Sequence, residues 1–592
     1  MNKLTDTCLE TSVAARQSYK EQCVRWQLAF LAVLTGFLLP GSQLYAATEL
    51  ADVPVAVANS SAKVKSNIMF TLDDSGSMQW EALPDSAIRW GVYNGVYYPA
   101  YNVFPPEANI YGGSDYGRVT VDFSASNPHA TFMRSSNNNK VYYNPAIRYT
   151  PWSKSDGTSY ANALPSAAPH NPEPCLASNP SCLNAAPGAR NLTVDNTDSA
   201  WWLTSGGWVY QTNTYYPATY FQYKGVGNVN NTTSYTRVEI KPANAPFSKA
   251  AARSDCAGSS CTYAEEIQNF ANWYTYYRSR ILASRAGIGK AFGQLADSSY
   301  RVGFGAINQG TATIDGASSP GTLINGVRLF TGTDRQRFFD SLYRHIIPAA
   351  NTPLRRALDD VGQYYSREDN SGPWGPAPQL TCRQSYNILM TDGYWNGDAA
   401  TTTGARANVD GSNGPTITSP SGGSYQYTPA YPYRDTWSDT LADVAMYYWN
   451  RDLHPNLDNN VPPNSSDPAF WQHMSTFTVG LGVSGTLSYP SDLAALTSGA
   501  KTWPNPASGD QQKLDDLWHA AVNGRGEFFN AADPDQFARA MIDALNNIAS
   551  RIGAAAANAV ANPNISAGSN QTFFSCFVAC TWSGVIMSST IN

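Results

Sequence analysis

Residues 68–77 have the sequence IMFTLDDSGS, in which a short apolar strand runs into a polar turn. The turn presents one carboxylate and two hydroxyls, from Asp73, Ser75 and Ser77, and Gly76 permits a tight bend. Hard divalent cations such as Mg²⁺ and Ca²⁺ prefer oxygen ligands of these kinds. The stretch therefore predicts a cation site at the end of a buried strand.

Two later segments can complete the set of ligands. Thr352 directly precedes Pro353, and a proline at the first helical position favours a helix start that would hold the threonine hydroxyl. Residues 386–391 are mostly apolar and lead into Asp392 and Gly393, as expected of a buried parallel strand with a carboxylate at its carboxyl end. Ligands of open α/β sheets bind at that edge, so we expect all five oxygen-bearing side chains to converge there.

The ordered trio of segments resembles the metal-ion-dependent adhesion site of von Willebrand factor type A domains. The positions that match the pattern are Asp73, Ser75, Ser77, Thr352 and Asp392. The resemblance implies a bound divalent cation, Mg²⁺ or Ca²⁺, and a doubly wound, mostly parallel α/β sheet. Strands that alternate with helices along the chain favour the same architecture, interrupted by long β-rich and loop-rich insertions at about 80–260 and 394–432.

Helical patterns lie outside these insertions. Thr262 and Glu265 form a capping box, and apolar residues then recur at helical spacing as far as Ile288, which predicts one long amphipathic helix. Further elements are expected as helices at 333–346, 353–365, 437–449 and 534–548, and as strands near 302–306 and 476–482.

Composition restricts the class of protein. Only 14% of the 592 residues are charged, and 35 Tyr and 16 Trp suit a secreted, loop-rich chain. The 39 basic residues form no Lys/Arg run and are outnumbered by 45 acidic residues, so nucleic acid is not expected as a partner. Neither His-Glu-x-x-His nor Gly-x-Ser-x-Gly occurs, so we expect a non-enzymatic protein, with a secreted hydrolase as the weaker alternative.

An apolar stretch at 28–39 follows three basic residues and precedes small residues at 46–47. This pattern predicts a secretory signal peptide over residues 1–46. A membrane anchor is the alternative, but the stretch is shorter than the about 20 residues that a spanning helix needs. We therefore expect an exported protein that is not integral to a membrane.

The chain contains nine cysteines, several of which are close in sequence. The local pairs are Cys175 with Cys182, Cys256 with Cys261, and Cys576 with Cys580. In an exported chain such pairs favour disulfides, and a four-Cys zinc site is the alternative for the first two pairs. Whether Cys382 has a distant partner stays open.

Longer aromatic segments resemble the PilC/PilY family of type IV pilus tip-associated proteins. They are YYNP at 142–145, NFANWY at 269–274, DPAFWQHM at 467–474 and LWHAAVNGRG at 517–526. The resemblance covers nearly all of the chain after the signal peptide. It implies a type A domain at 60–550, a linker at 551–570 and, at 571–592, the start of a truncated C-terminal domain of β-propeller kind.

The two resemblances together imply a function in pilus assembly and surface adhesion. The expected partners are minor pilins or the pilus tip, and a host or surface receptor that offers a carboxylate to the metal. The expected location is the cell surface, the pilus tip or the outer membrane of a Gram-negative bacterium. The alternative is a structural scaffold that docks minor pilins and uses the metal only for stability.

Overall fold

The computed structural model of the chain describes residues 64–117, 119–173, 188–319, 321–553, 570–577 and 584–591. These residues belong to the unit Ala62–Asn592. The predicted signal peptide at 1–46 and the predicted pairing of Cys175 with Cys182 lie outside the described residues, as does Cys580. Within the described ranges, no helix combines the length and apolar character that crossing a bilayer requires.

Six strands form the central sheet, and we label them β1–β6 in chain order. They are Asn67–Leu72 (β1), Arg301–Ala306 (β2), Leu323–Leu329 (β3), Ser385–Thr391 (β4), Ser475–Leu481 (β5) and Arg525–Ala531 (β6). Their spatial order is β3-β2-β1-β4-β5-β6, in which β3 runs antiparallel to β2 and the other neighbours are parallel. The expected mixed α/β fold with a mostly parallel sheet and insertions is confirmed.

Among the residues that the structure describes, seven longer helices accompany the sheet, and we label them α1–α7. They are Tyr263–Tyr276 (α1), Arg280–Gly293 (α2), Gly332–Arg344 (α3), Leu354–Tyr365 (α4), Leu441–Trp449 (α5), Asp510–Asn523 (α6) and Pro534–Gly553 (α7). Two short helices are Pro128–Met133 and Leu493–Thr497.

The helices cover both faces of the sheet because alternate residues of each strand point in opposite directions. On β1, Ile68, Phe70 and Leu72 pack in one core with residues of α2, α3 and α7. Met69 packs in the other core with residues of α4, α5 and α6. Burial on both faces explains why β1 is apolar almost without interruption.

The single long helix predicted from Thr262 to Ile288 is wrong, because the structure contains two helices. The capping box of Thr262 and Glu265 is confirmed at the start of α1. Ser279 then adopts extended backbone, and its hydroxyl accepts a hydrogen bond from the amide of Leu282 at the start of α2. Apolar residues continue at helical spacing across this break, so periodicity alone does not reveal it.

The first insertion lies between β1 and α1, and its described residues form short strands, loops and the short helix Pro128–Met133. Its strands are Arg89–Tyr93, Val96–Ala100, Val119–Val121, Ala168–Pro169, Ala189–Arg190, Asn196–Thr204, Gly207–Tyr215, Thr219–Tyr223, Tyr235–Glu239, Phe247–Ser248 and Ser260–Cys261. Side chains of the insertion such as Tyr142 and Trp202 join the core that contains Phe70. The insertion is therefore packed onto one side of the sheet.

Both ends of the first insertion are held together by buried polar contacts. The Arg278 Nε lies 2.9 Å from Glu81 Oε1, and the two side chains are 1% and 8% exposed. Glu81 Oε2 also accepts hydrogen bonds from the amides of Val103 and Phe104. The amide of Arg280 donates to the carbonyl of Trp80 at 3.0 Å. The chain therefore returns to the end of β1 after the insertion.

The segment at 394–432 is not simply the surface loop that its Gly/Ser/Thr content predicts. It contains the hairpin Thr416–Thr418 and Ser424–Gln426. Val409, Ile417 and Tyr427 pack with Trp449 and Trp471 in a third core cluster. Apolar residues spaced among small polar ones are enough to bury part of this second insertion.

Cysteine pairing and the end of the domain are described in part. Cys256 and Cys261 form a disulfide, which confirms one predicted pair and excludes zinc ligation by these thiols. Cys382 is disulfide-bonded as well.

Helix α7 continues to Gly553, so the first residues of the linker predicted at 551–570 are helical. The strands Asn570–Phe577 and Gly584–Ile591 pair antiparallel.

The buried ion pair of Arg278 and Glu81 allows a test of how the first insertion is anchored. Arg278→Met is expected to destabilise the protein by about 3 kcal/mol or more, because it leaves the Glu81 carboxylate buried without its counter-charge. Arg237 pairs with Glu239 at the surface, with 37% and 23% exposure, so Arg237→Met is expected to cost less than about 1 kcal/mol. Urea unfolding of both variants measures the difference, and equal losses would contradict the proposed anchoring.

Candidate metal centre

The turn after β1 is organised by Asp73. Its Oδ1 accepts a hydrogen bond from the amide of Ser75 at 2.8 Å, and its Oδ2 accepts one from the hydroxyl of Thr391 at 2.6 Å. The amide of Asp73 donates to the carbonyl of Met390 on β4. Asp73 is fully buried. The carboxylate is thus fixed by its own turn and by the neighbouring strand.

Asp392 follows β4 and lies beside this turn. Its Oδ1 accepts a hydrogen bond from the Ser77 hydroxyl at 2.9 Å, and the Ser77 and Ser75 hydroxyl oxygens are 3.1 Å apart. Four of the five predicted side chains therefore form one connected group at the carboxyl ends of β1 and β4. The two strands are adjacent, and from them the sheet extends in opposite directions, which is where open α/β sheets bind ligands.

Thr352 lies on a neighbouring loop. The amide of Gly76 donates to the carbonyl of Ala350 at 3.0 Å, which joins this loop to the Asp73 turn. The amide of Thr352 donates to Asn396 Oδ1 at 3.0 Å, and the amide of Asn396 donates to the carbonyl of Thr352 at 2.9 Å. Among the described residues, no hydrogen bond joins the Thr352 side chain to the other four predicted ligands. Helix α4 begins at Leu354, one residue later than the expected start at Pro353.

The adjacent aspartate, Asp74, faces a different set of partners. Its Oδ1 accepts hydrogen bonds from the main-chain and side-chain nitrogens of Asn308, and its Oδ2 lies 2.7 Å from His345 Nε2. Asp73 and Asp74 therefore have separate environments although they are neighbours in sequence. Asp74 joins the turn to Asn308 and His345, whereas Asp392 contacts it through Ser77.

Arg280 is a member of this site that the sequence did not indicate. Its Nη1 donates to Asp392 Oδ2 at 2.9 Å, and its Nη2 donates to Asp85 Oδ1 at 2.7 Å. Its Nε donates to the carbonyl of Ala82 at 2.8 Å, and the residue is 1% exposed. A charged residue at the start of the apolar helix α2 was the available signal, since a buried arginine needs hydrogen-bond acceptors around it.

Burial and charge repulsion determine the protonation of the two aspartates. Burial, followed by repulsion from Asp392, raises the pKa of Asp73 from 3.8 to about 7. Burial also raises the pKa of Asp392, although Arg280 opposes the rise. A carboxyl group whose pKa is raised by folding destabilises the fold when it ionises. The contribution of Asp73 therefore lowers the free energy of unfolding as the pH rises from about 4 to about 7. A divalent cation would stabilise both ionised groups.

The chemistry of the side chains fits a hard cation. The predicted set offers two carboxylates and three hydroxyls, all of them oxygen donors, which are the ligands that Mg²⁺ and Ca²⁺ prefer. The serine and threonine hydroxyls can serve either as ligands or as hydrogen-bond donors to the carboxylates.

A second group of side chains could hold a metal ion. Ligand atoms of Asp410, Asp435 and His519 lie within 4.8 Å of one another. Burial, followed by repulsion from Asp435, raises the pKa of Asp410 to about 8. Burial raises the pKa of Asp435 to about 7 and lowers the pKa of His519 to about 3. Sequence spacing gave no signal for this group, because its members are far apart in the chain.

Comparison with known proteins finds relatives of this chain. The chain matches no protein-family model. Three type IV pilus biogenesis factors named PilY1, all from Pseudomonas aeruginosa, are similar to it. The strain PAK protein is 36% identical in an alignment 367 residues long, and the alignment covers 57% of this chain and 29% of the relative. The strain PAO1 protein is 30% identical in an alignment 576 residues long, and that alignment covers 88% of this chain and 41% of the relative.

The third relative agrees with the other two. The PilY1 of strain UCBPP-PA14 is 31% identical in an alignment 551 residues long, and that alignment covers 87% of this chain and 40% of the relative. The chain thus spans about two fifths or less of the length of these relatives. A crystal structure of the pilus adhesin SpaC from Lactobacillus rhamnosus GG covers 46% of this chain and 28% of its own chain, at 14% identity. Its TM-score of 0.23 is too low to support any conclusion.

The similarity to PilY1 agrees with the resemblance that the aromatic segments indicated. It extends over most of the chain and does not depend on the turn at Asp73 alone. The chain is homologous to the PilY1 type IV pilus biogenesis factors over most of its length.

Proposed function

We propose that this chain is an exported, pilus-associated binding protein that holds Mg²⁺ or Ca²⁺ at a metal-ion-dependent adhesion site. The proposed ligands are Asp73, Ser75, Ser77, Thr352 and Asp392. The observation that carries the proposal is the hydrogen-bonded group of Asp73, Ser75, Ser77 and Asp392 at the ends of two adjacent parallel strands.

The architecture supports a type A domain. The strand order β3-β2-β1-β4-β5-β6, with helices on both faces, is a doubly wound arrangement. Asp73 and Asp392 lie at the carboxyl edge of this sheet, where such domains bind their cation. The two insertions depart from an ordinary type A domain and leave this edge intact.

The proposed mechanism of binding is local and depends on the metal. The cation would be held by carboxylate and hydroxyl oxygens of the chain and would keep one coordination position for a carboxylate of the partner. Asp73 and Asp392 would supply the negative charge, the serines direct oxygen ligands, and Thr352 a ligand that acts directly or through water. Without the cation, the same aspartates would repel an acidic partner.

Arg280 sets the charge of this site. Its guanidinium neutralises part of the charge on Asp392, so the ionised aspartates carry a smaller net charge toward the cation. Arg280 also fixes the Asp392 Oδ2 and leaves the Oδ1 facing Ser77. The residue therefore orients the ligand group while lowering its affinity for a cation.

Membership of the PilY1 family supports a role at the pilus. The named relatives are type IV pilus biogenesis factors, and we extend that role to this chain. The proposed partners are minor pilins or the pilus tip, and a host or surface receptor that offers a carboxylate. The proposed location is the cell surface, the pilus tip or the outer membrane.

The second candidate function is a scaffold in which the cation only stabilises the edge of the sheet. The favouring observation is the aromatic surface of the first insertion, where Trp90 and Tyr97 are 53% and 69% exposed. Such side chains could dock minor pilins without involving the metal. The two functions differ in whether a free carboxylate competes with the partner.

The ligand assignment can be tested directly by calorimetric titration with Mg²⁺ and Ca²⁺. Asp73→Asn is expected to lower the affinity for the cation at least about 100-fold. Mutating a residue that only hydrogen-bonds to a metal ligand already lowers metal affinity about 10- to 100-fold, and Asp73 is a proposed ligand itself. Asp74→Asn is the matched control, since Asp74 bonds to Asn308 and His345 instead. The assignment is wrong if the two variants lose affinity equally.

Partner binding distinguishes the adhesion site from the scaffold. Binding of the purified chain to purified type IV pili, measured by surface plasmon resonance, is expected to fall at least about tenfold in EDTA and in Asp73→Ala. Excess acetate should compete, because it offers the same carboxylate to the cation. Binding that resists acetate, together with stabilisation by the metal, would instead support the scaffold.

Removing the buried guanidinium tests its effect on the cation. Arg280→Gln is expected to tighten Mg²⁺ or Ca²⁺ binding by about tenfold, because a positive charge next to Asp392 is lost. The metal-free protein should lose about 3 kcal/mol of stability, since Asp392 is left without its partner. Calorimetry and urea unfolding measure the two effects. Unchanged affinity would show that Arg280 does not act on the cation.

A further inference from the structure

Where the second insertion meets α6, three potential ligands come together. Asp410 belongs to the second insertion, Asp435 follows it, and His519 lies on α6. We propose that Asp410, Asp435 and His519 bind a divalent transition-metal ion, with Zn²⁺ as the chemical probe, and that the ion fastens the second insertion to the core. This site is separate from the proposed site at Asp73 and does not depend on it.

The imidazole of His519 is held as a metal-binding histidine usually is. Its Nε2 lies 2.6 Å from the carbonyl oxygen of Tyr433. A carbonyl can only accept, so Nε2 carries the hydrogen and Nδ1 retains a lone pair. Histidine ligands commonly donate their other ring N–H to a backbone carbonyl in this way. The ring of Trp503 stacks on His519 with centroids 4.3 Å apart, which fixes the plane of the imidazole.

The lone pair of His519 Nδ1 faces a carboxylate. Asp435 Oδ2 lies 3.6 Å from Nδ1, which is too far for a hydrogen bond. With Nε2 protonated, this approach brings two electron-rich atoms together, and a cation between them would make it favourable. Two ligands at about 2.1 Å from one tetrahedral ion are separated by about 3.4 Å, which is close to the observed distance.

Asp410 is oriented by partners on both oxygens. Its Oδ1 accepts from the amide of Asp435 at 2.9 Å, and its Oδ2 accepts from Asn523 Nδ2 at 2.8 Å. Asp410 is fully buried. Supporting hydrogen bonds of this kind are typical of carboxylates that bind metals.

Asn523 provides an independent observation at the same place. It lies on α6 one turn after His519, is fully buried, and contacts Asp410 through its amide. Within the described residues, its Oδ1 has no hydrogen-bond partner. A buried amide oxygen without a partner destabilises a fold unless a donor or an ion meets it. This unpartnered oxygen belongs to the same amide whose nitrogen contacts Asp410, so it lies beside the proposed ligands.

The charge of the cluster calls for a cation. Within the part of the chain that the structure describes, the basic partner of both aspartates is His519, whose Nε2 lies 3.6 Å from Asp410 Oδ2 and whose Nδ1 lies 3.6 Å from Asp435 Oδ2, and neither aspartate pairs with a lysine or arginine. With His519 neutral, the ionised cluster carries two negative charges in a buried setting. A divalent ion balances them, as Arg280 does in part for Asp392 at the first site.

The donor set selects the kind of ion. One imidazole nitrogen with two carboxylates is typical of zinc and other first-row transition metals, whereas Mg²⁺ and Ca²⁺ prefer oxygen alone. The two sites should therefore differ in metal preference. This difference allows each of them to be tested without the other.

The test is a thermal unfolding series on the EDTA-treated full chain with Zn²⁺ as the only added metal. At a free Zn²⁺ concentration of about 100 times Kd, the Tm is expected to rise by about 2 to 3 °C. His519→Gln and Asp435→Asn should abolish this rise. His454→Gln is the matched control, because His454 is a buried histidine packed against Trp374 instead. Asp73→Ala should keep the Zn²⁺ response, which separates this site from the adhesion site.

Two results would overturn the proposal: no Zn²⁺-dependent rise in the wild-type chain, or the same rise in His519→Gln. If the variants do not fold, Co²⁺ added to the wild-type chain replaces them as the test. A visible absorption band of tetrahedral Co²⁺ that Zn²⁺ displaces supports the site, and its absence overturns it. If lowering the pH raises the Tm and Zn²⁺ has no effect, the proposal is overturned. A proton shared by His519 and the aspartates would then stabilise the cluster in place of a metal ion.

Discussion

The parallel pairing of β1 with β4 is the constraint on which the candidate centre depends. Their register aligns Thr71 with Leu389, so Asp73 lies level with Thr391, the residue before Asp392, and Asp392 is near enough to raise the pKa of Asp73. Two carboxylates that are this close and this buried repel each other and lose hydration. The hydroxyls of Ser77 and Thr391 and the guanidinium of Arg280 each reduce that unfavourable energy. The sheet therefore brings the two carboxylates together, and the surrounding side chains reduce the repulsion between them.

The two candidate sites are buried acidic groups that are stabilised in different ways. At the end of β1, an arginine and several hydroxyls face the carboxylates, and a cation would add to an arrangement that is already partly neutralised. At α6, the carboxylates face a neutral imidazole and an amide, and hydrogen bonds alone hold them. The second group has the larger uncompensated charge, so an ion would matter there more for folding than for recognition.

The sequence predicts those features whose chemistry is local. The strand at 68–72 and its turn are specified within ten residues, and the capping box of Thr262 and Glu265 is specified within four. Arg280 and Asp392 are paired across 112 residues, and Asp410 and His519 meet only after the second insertion folds. No spacing rule reports such contacts, since they depend on how the insertions pack. The break between α1 and α2 escaped prediction for a related reason, because Ser279 caps a helix that apolar periodicity alone would continue.

The first insertion shows why so long an interruption leaves the centre intact. The entropy of closing a loop grows only with the logarithm of its length, so the main requirement is that the two ends meet. Arg278 joins Glu81, and Arg280 joins the carbonyls of Trp80 and Ala82, which brings the start of α2 back to the end of β1. Arg280 also binds Asp392. The residue that closes the insertion is thus the residue that orients a proposed ligand, so the insertion can change in length while the carboxylates keep their positions.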